Sequence, residues 1–323
     1  MRTSNGHARG GLAALWVAAA LAAAGAGLPA PAAAQDIRRP HLAGHTFLPT
    51  DLIPEAFVST HVRNSLGYAQ ALDLDYPPVV VQGDTLVTLQ GDLIYALLGF
   101  EYEQAVKDWI AVRTTVNLRT RLGTQAASLV REGVTVGAGF DFGWMARLYQ
   151  SRRTMLCGSL LASRQSYTAV DLRGFVEDVI DGAPNPRLID DIPVVRGRGG
   201  LHFAWAMSRP FGLTLFGETS YGEAPQRGAA DGWEYSYGAC VDFDAGAAWD
   251  IPLGAALAYR QTSLPEMNSS VPDIGRQTVL RLAYNAQPDF VVGVDLVGIY
   301  NRENSRREAM FATGAMVTLR YYF

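Results

Sequence analysis

Long segments in which apolar residues alternate with small or polar ones constrain this chain more than any other feature. Between Trp109 and Arg121, Ile110, Val112, Thr114, Val116 and Leu118 fall on one side, and Ala111, Arg113, Thr115, Asn117 and Arg119 on the other. Residues 132–147, 194–208, 233–243 and 277–285 repeat the pattern, for example Trp233, Tyr235, Tyr237, Ala239, Val241 and Phe243 against Glu234, Ser236, Gly238, Cys240 and Asp242. A period of two is that of a β-strand. A soluble sandwich also alternates, but its strands usually run about 5–6 residues, and these run about 10–15. The second face is rich in Gly, Ser, Thr and Arg. That combination suits a barrel whose apolar face meets lipid and whose polar face lines the interior.

Composition removes other classes. With 49% hydrophobic and 18% charged residues the chain is not a disordered one. A net charge of -4 excludes a nucleic-acid binder driven by bulk charge. Two cysteines, Cys157 and Cys240, are too few for a disulfide framework or a zinc cluster. They index to the interior of strands that are not neighbours, so no disulfide between them, no metal site and no cofactor is expected. At the N-terminus Arg2 and Arg9 precede an apolar run, Gly11–Leu28, and then Ala32, Ala33 and Ala34. This is the pattern of an export signal cut after Ala34. No later stretch approaches the roughly 18 apolar residues of a membrane helix.

The alternation predicts twelve strands: 56–68, 92–103, 109–121, 132–147, 153–165, 194–208, 211–221, 232–244, 254–262, 276–286, 289–301 and 309–323. Short connections (104–108, 148–152, 209–210, 245–253, 287–288) alternate with longer ones (69–91, 122–131, 166–193, 222–231, 263–275, 302–308), and within the first of these the segment 78–90 could instead extend a neighbouring strand or add a hairpin. An even count with short turns on one side is the arrangement of an antiparallel up-and-down barrel in a membrane. The expected organisation is a signal peptide over 1–34, an N-terminal periplasmic segment over 35–55 and a transmembrane barrel over 56–323. Trp144, Tyr149, Tyr284, Phe290, Tyr300 and Tyr321 are placed for interfacial girdles.

The last residues, AMFATGAMVTLRYYF, put Phe311, Ala315, Val317, Leu319, Tyr321 and Phe323 on one face and end on an aromatic. This resembles the terminal strand of bacterial outer-membrane β-barrel proteins, a porin-like superfamily. The resemblance implies that Val317, Leu319, Tyr321 and Phe323 are read by the outer-membrane assembly machinery, that outer-membrane lipid surrounds the chain, and that the host is Gram-negative. It specifies no solute and no oligomeric state.

The interior-facing candidates are Arg113, Asn117, Arg119, Asp141, Arg196, Arg198, Glu218, Glu234, Asp242, Arg260, Arg281, Asp295 and Arg320. A cationic lumen would favour anionic solutes. Pairing of these arginines with interior acids is the competing expectation, because buried charges are usually paired. In the 166–193 connection Leu172, Phe175, Val176, Val179 and Ile180 have helical spacing, which suits a short helix over the pore or one packed on its rim. His61 has Ser59 two residues before it, and His202 lacks a closely spaced serine, so neither carries a hydrolase motif. The expected function is a narrow channel for passive transport of small solutes. The alternatives are a closed barrel acting through its loops and, last, an outer-membrane lipid hydrolase.

Overall fold

The computed structural model describes residues 39–81, 84–123, 134–170, 189–223, 231–263, 274–302 and 310–323. The signal segment 1–34 and the helically spaced Leu172, Phe175, Val176, Val179 and Ile180 lie outside the described residues.

Two short strands, β1 (His41–Leu42) and β2 (His45–Thr46), form a hairpin. Its loop residues Ala43 and Gly44 both have positive φ, 50° and 84°, as a two-residue hairpin turn requires. Twelve long strands follow: β3 (His61–Val81), β4 (Asp84–Lys107), β5 (Ile110–Gly123), β6 (Val134–Gln150), β7 (Thr154–Val170), β8 (Ile189–Ala206), β9 (Phe211–Gly222), β10 (Gly232–Asp244), β11 (Leu253–Ser263), β12 (Ile274–Tyr284), β13 (Phe290–Arg302) and β14 (Met310–Tyr322). Each pairs antiparallel with the next, and β14 returns to β3 through Val317↔Leu66 and Leu319↔Asn64, which closes the barrel. Closure pairs the backbone groups that a sheet edge would leave exposed to hydrocarbon. A single-turn helix, α1 (Ala245–Trp249), fills the β10–β11 connection, with Asp244 accepting a hydrogen bond from the Gly246 amide at 3.0 Å.

The outer wall is apolar and open: Leu66, Leu98, Leu257 and Leu282 are all more than half exposed. Such a surface on a closed barrel is a lipid-facing belt, and the chain is a transmembrane β-barrel. Tyrosines mark its two margins. The Tyr68 hydroxyl donates to Gln70 at 3.2 Å and that of Tyr259 to Gln261 at 2.9 Å, each toward the long-connection end. The Tyr102 hydroxyl bonds Gln104, toward the short-turn end. Outward tyrosines thus turn their hydroxyls away from the middle of the belt at both ends, as an interfacial ring does.

Three expectations differ. Residues 69–91, read as a connection in which 78–90 could extend a neighbour, prolong β3 and β4, which continue to Val81 and from Asp84. The β-branched run VVV and the segment TLVTL have the composition of strands and continue the ladder. Register shifts between Ala71 and Leu74 and between Tyr76 and Val79 leave Pro77 and Pro78 out of the pairing, consistent with a residue that has no amide to donate. The first barrel strand begins at His61 rather than at residue 56. Of the segment 35–55, read as periplasmic and ahead of the barrel, the described residues 39–55 pack inside the barrel: Leu42, His45, Phe47, Leu48, Leu52, Ile53 and Glu55 are buried. Their apolar side chains gain more from the interior than from water.

Introducing a charge on the outer belt tests this orientation. Leu66→Arg is expected to lose about 2–4 kcal/mol of stability in a bilayer, read by denaturant unfolding in lipid vesicles. No loss would mean that Leu66 does not face hydrocarbon.

Candidate functional site

The interior divides into a filled half at the short turns and a charged half above it. In the filled half, residues 39–58 form a plug seated against two apolar patches of the wall. Leu48, Leu52 and Ile53 pack with Phe216, Cys240, Ala256, Ala258, Val279, Ala283, Val291 and Tyr322. Leu42, Phe47, Ala56 and Phe57 pack with Met145, Met155, Cys157, Ala204 and Ala206. Phe47 lies 5.0 Å from Phe57 and 4.6 Å from His45 between ring centroids. Burial of each large side chain contributes about 1.5–3 kcal/mol. Two wall glycines make the seat: a methyl at Gly254 would overlap Leu48, and one at Gly212 would overlap His45.

Polar contacts fix the plug's position. His45 Nε2 lies 2.6 Å from Asp242, and its Nδ1 lies 3.0 Å from the Arg209 carbonyl. Arg39 donates to the Pro288 carbonyl at 3.2 Å, and the Cys157 thiol donates to the Ala56 carbonyl at 3.1 Å. Cys157 and Cys240 are both free and buried.

Toward β3, β4, β5 and β14 the boundary is ionic. Glu101 collects Arg63 at 2.9 Å, Arg113 at 3.0 Å and His61 at 3.0 Å. From the plug, Asp51 pairs with Arg63 at 3.1 Å and Arg281 at 3.9 Å, and Glu55 pairs with Arg320. Arg281 also grips Asp295 through two hydrogen bonds of 2.6 Å, donates to Thr318 at 2.9 Å and bonds the Pro49 carbonyl. The Ser59 amide donates to Glu103 at 3.0 Å.

Above the plug the charges balance less well. Arg196 meets Glu234 at 3.4 Å, and Arg260 meets Glu218 at 3.9 Å while donating to Ser236 at 2.8 Å. Arg119 and Arg198 lie within electrostatic reach of Arg260. Among the described residues no acid is paired with either. Arg119 is exposed although its register places it on the inner face, so this part of the lumen is open to water. Asn117 is partly buried on the same face. Asp141 is buried, with Oδ1 lacking a hydrogen-bond partner among the described residues.

Both alternatives for the arginines therefore occur, at different heights. Arg113, Arg196, Arg260, Arg281 and Arg320 have acid partners; Arg119 and Arg198 form the group without. Sequence reasoning missed the plug's contributions, Asp51, Glu55 and His45, because they lie outside the long alternating strands. It also missed Ser159, whose Oγ lies 2.7 Å from His202 Nε2 across β7 and β8. The Ser59–His61 pair does meet, at 2.9 Å. Val317, Leu319, Tyr321 and Phe323 form an exposed outward row, with Tyr321 and Phe323 stacked at 5.9 Å.

No protein-family model matches the chain, and no curated protein matches it. Solved structures similar in shape include an outer membrane channel from Pseudomonas putida F1, at 10% identity and a TM-score of 0.49 over 86% of this chain and 100% of that one. The translocator domain of the autotransporter NalP from Neisseria meningitidis aligns at 7% identity and a TM-score of 0.49, over 84% of this chain and 90% of that one. The NanC porin aligns at 7% identity and a TM-score of 0.47, over 81% of this chain and 100% of that one.

The plug's anchors can be tested separately. Asp295→Ala leaves Arg281 without its bidentate partner and is expected to cost about 3–5 kcal/mol, read by thermal unfolding in detergent. Gly212→Val should unseat His45 and open residues 39–58 to limited proteolysis while the barrel stays folded. Continued protection would show that the Gly212 seat does not hold the plug.

Proposed function

We propose that this chain is an outer-membrane channel for small anionic solutes, with residues 39–58 restricting flow at the short-turn end. In this reading the short turns face the periplasm, the long connections face outward, and the chain arrives by export with its signal removed near Ala34. The row Val317, Leu319, Tyr321 and Phe323 presents the chain to the assembly machinery.

The observation that carries the proposal is the group Arg119, Arg198 and Arg260, whose one paired acid among the described residues is Glu218. Inward arginines in a wet lumen hold a positive potential that concentrates anions and repels cations. The boundary between plug and wall supports a route as well. On the side of β6 to β11 it is largely apolar, with one polar contact, His45 to Asp242. Toward β12, β14 and β3 it carries ion pairs of Asp51 and Glu55 with Arg281, Arg320 and Arg63, which water and small ions can enter by exchanging partners. A passage along that ionic seam needs only a shift of the plug, not its ejection.

A second reading, a closed barrel acting through its loops, is favoured by the plug's contacts, which run from β3 round to β14. Neither serine–histidine contact favours a hydrolase. Nδ1 of His202 has no orienting partner among the described residues. Ser59, His61 and Glu101 do line up, but Glu101 also carries Arg63 and Arg113 and His61 is buried, which marks this set as ionic packing of the interior. A nucleophile needs a base that is itself oriented and free to take a proton.

Conductance across planar bilayers separates these readings. The intact protein is expected to give small, anion-selective steps in a potassium chloride gradient. Deletion of residues 39–58 should raise the conductance severalfold, and the milder pair Asp51→Asn and Glu55→Gln should raise it less. Arg119→Glu with Arg198→Glu should shift the reversal potential toward cations. Silence of both the intact and the plug-deleted barrel, each shown to be folded by its heat-shifted migration, would leave the closed barrel as the answer.

A further inference from the structure

Three unmet polar atoms stand in one row on the inner wall above the plug. Asp141 on β6, Ser163 on β7 and Arg196 on β8 are in register and face inward. Their exposures are 9%, 2% and 7%. Asp141 Oδ1, Ser163 Oγ and Arg196 Nε each lack a hydrogen-bond partner among the described residues. The guanidinium of Arg196 is turned toward β9 and β10, donating to the Glu223 carbonyl at 3.4 Å and the Gly232 carbonyl at 3.3 Å and meeting Glu234 at 3.4 Å. Its Nε is left over on the side of Ser163. Buried polar groups are normally paired, and each exception carries a desolvation cost. Three exceptions on consecutive strands make a surface that an occupant would satisfy.

The neighbouring positions leave room for one. One step toward the long connections the inner residues are Asn117, Gly139 and Gln165, again in register. A methyl added at Gly139 would meet Gln165 at 3.5 Å and Asn117 at 3.9 Å, both ordinary contacts, so Gly139 leaves a notch between two amide side chains. Arg119, next on β5, is exposed and opens this corner to the wet part of the lumen. Arg198 lies two positions from Arg196 on the same face of β8 and is partly buried. The row spans about 10 Å, since strands are about 4.8 Å apart. Asp141 as a carboxylate only accepts, Ser163 donates and accepts, and Arg196 Nε only donates. Hydroxyl groups complement all three, because each can give or take a hydrogen bond. An ammonium group would suit Asp141 but is repelled by Arg119, Arg198 and Arg260. A plain fatty carboxylate would suit the arginines and leave Asp141 and Ser163 unmet.

We propose that this part of the wall is a binding subsite for a polyhydroxylated organic acid, its hydroxyls on Asp141, Ser163 and Arg196 Nε and its carboxylate on Arg198. A guanidinium without an acid partner can hold a carboxylate through two parallel hydrogen bonds. The anionic end of the solute rests on the channel reading; the hydroxyl row rests on the three unmet atoms alone.

Isothermal titration of the detergent-purified protein tests this with three probes of one chain length. Gluconate carries both the carboxylate and the hydroxyls, sorbitol only the hydroxyls, and hexanoate only the carboxylate. Gluconate is expected to bind at concentrations where the other two give no heat. Ser163→Ala and Asp141→Asn should each weaken it about tenfold. Ser163 Oγ and Asp141 Oδ1 hold no other described residue, so both variants should keep the thermal midpoint of the parent. A lowered midpoint with unchanged gluconate binding would mark the row as packing and overturn the proposal. Equal heats from hexanoate or sorbitol, or none from gluconate, would overturn it too. Titration reads binding without current. A barrel that binds gluconate yet stays silent in bilayers would sink the channel reading alone, and one that passes anions yet treats gluconate like hexanoate would sink only this subsite.

Discussion

Hydrocarbon offers no hydrogen-bond partner, so each backbone amide and carbonyl in the belt must find one in the protein. The contact that satisfies this for the whole barrel is the return of β14 to β3. Without it both strands would present an open ladder to lipid. With it, the alternating pattern acquires a fixed meaning: one face is outside everywhere and the other is inside everywhere. A slip of β14 by one residue against β3 would turn Val317 inward and Arg320 into lipid. The ionic cluster beside the seam therefore helps to set its register.

Closure also creates an interior that must be filled or wetted, and this protein does both. Charges withdrawn from water are tolerable only when several partners share the desolvation. Glu101 illustrates this, since it receives Arg63, Arg113 and His61 from three different strand positions. Arg281 does the same from the cationic side, holding Asp295, Thr318 and the Pro49 carbonyl together. The apolar patches that seat Leu48 and Phe47 contribute burial, while these multivalent ions specify where along the wall the plug stops.

The parts legible in the sequence were those governed by strand periodicity. Val317, Leu319, Tyr321 and Phe323 could be assigned outward because parity alone decides a side. The inward positions of Arg113, Asp242, Asp295 and Arg320 follow by the same rule. Periodicity has nothing to say about a segment whose only strands are two residues long. His45, Asp51, Glu55 and Phe57 read as an undistinguished leader, and only the wall's counterparts, Asp242, Arg63, Arg320 and Met155, give them a place. Wall glycines were equally silent: Gly212 and Gly254 look like ordinary small interior residues until His45 and Leu48 occupy the space they leave. In the 69–91 region the sequence left a connection and an extended strand both open, because Pro77 and Pro78 interrupt the pattern; register shifts let the ladder step past them.

Charge couples the two halves of the interior. Near the plug the wall contributes Arg63, Arg281 and Arg320, and the plug contributes Asp51 and Glu55 as their partners. Asp295 and Glu101 on the wall offset part of that cation density, but the plug's own carboxylates supply the rest. Any displacement of residues 39–58 thus removes negative charge from the lower lumen and leaves arginines facing the space it vacates. The potential from Arg119, Arg198 and Arg260 above would then extend downward instead of ending at a neutral floor. On the channel reading proposed above, opening and preference for anions would coincide, because the element that fills the lower lumen also carries the carboxylates Asp51 and Glu55 that face its arginines.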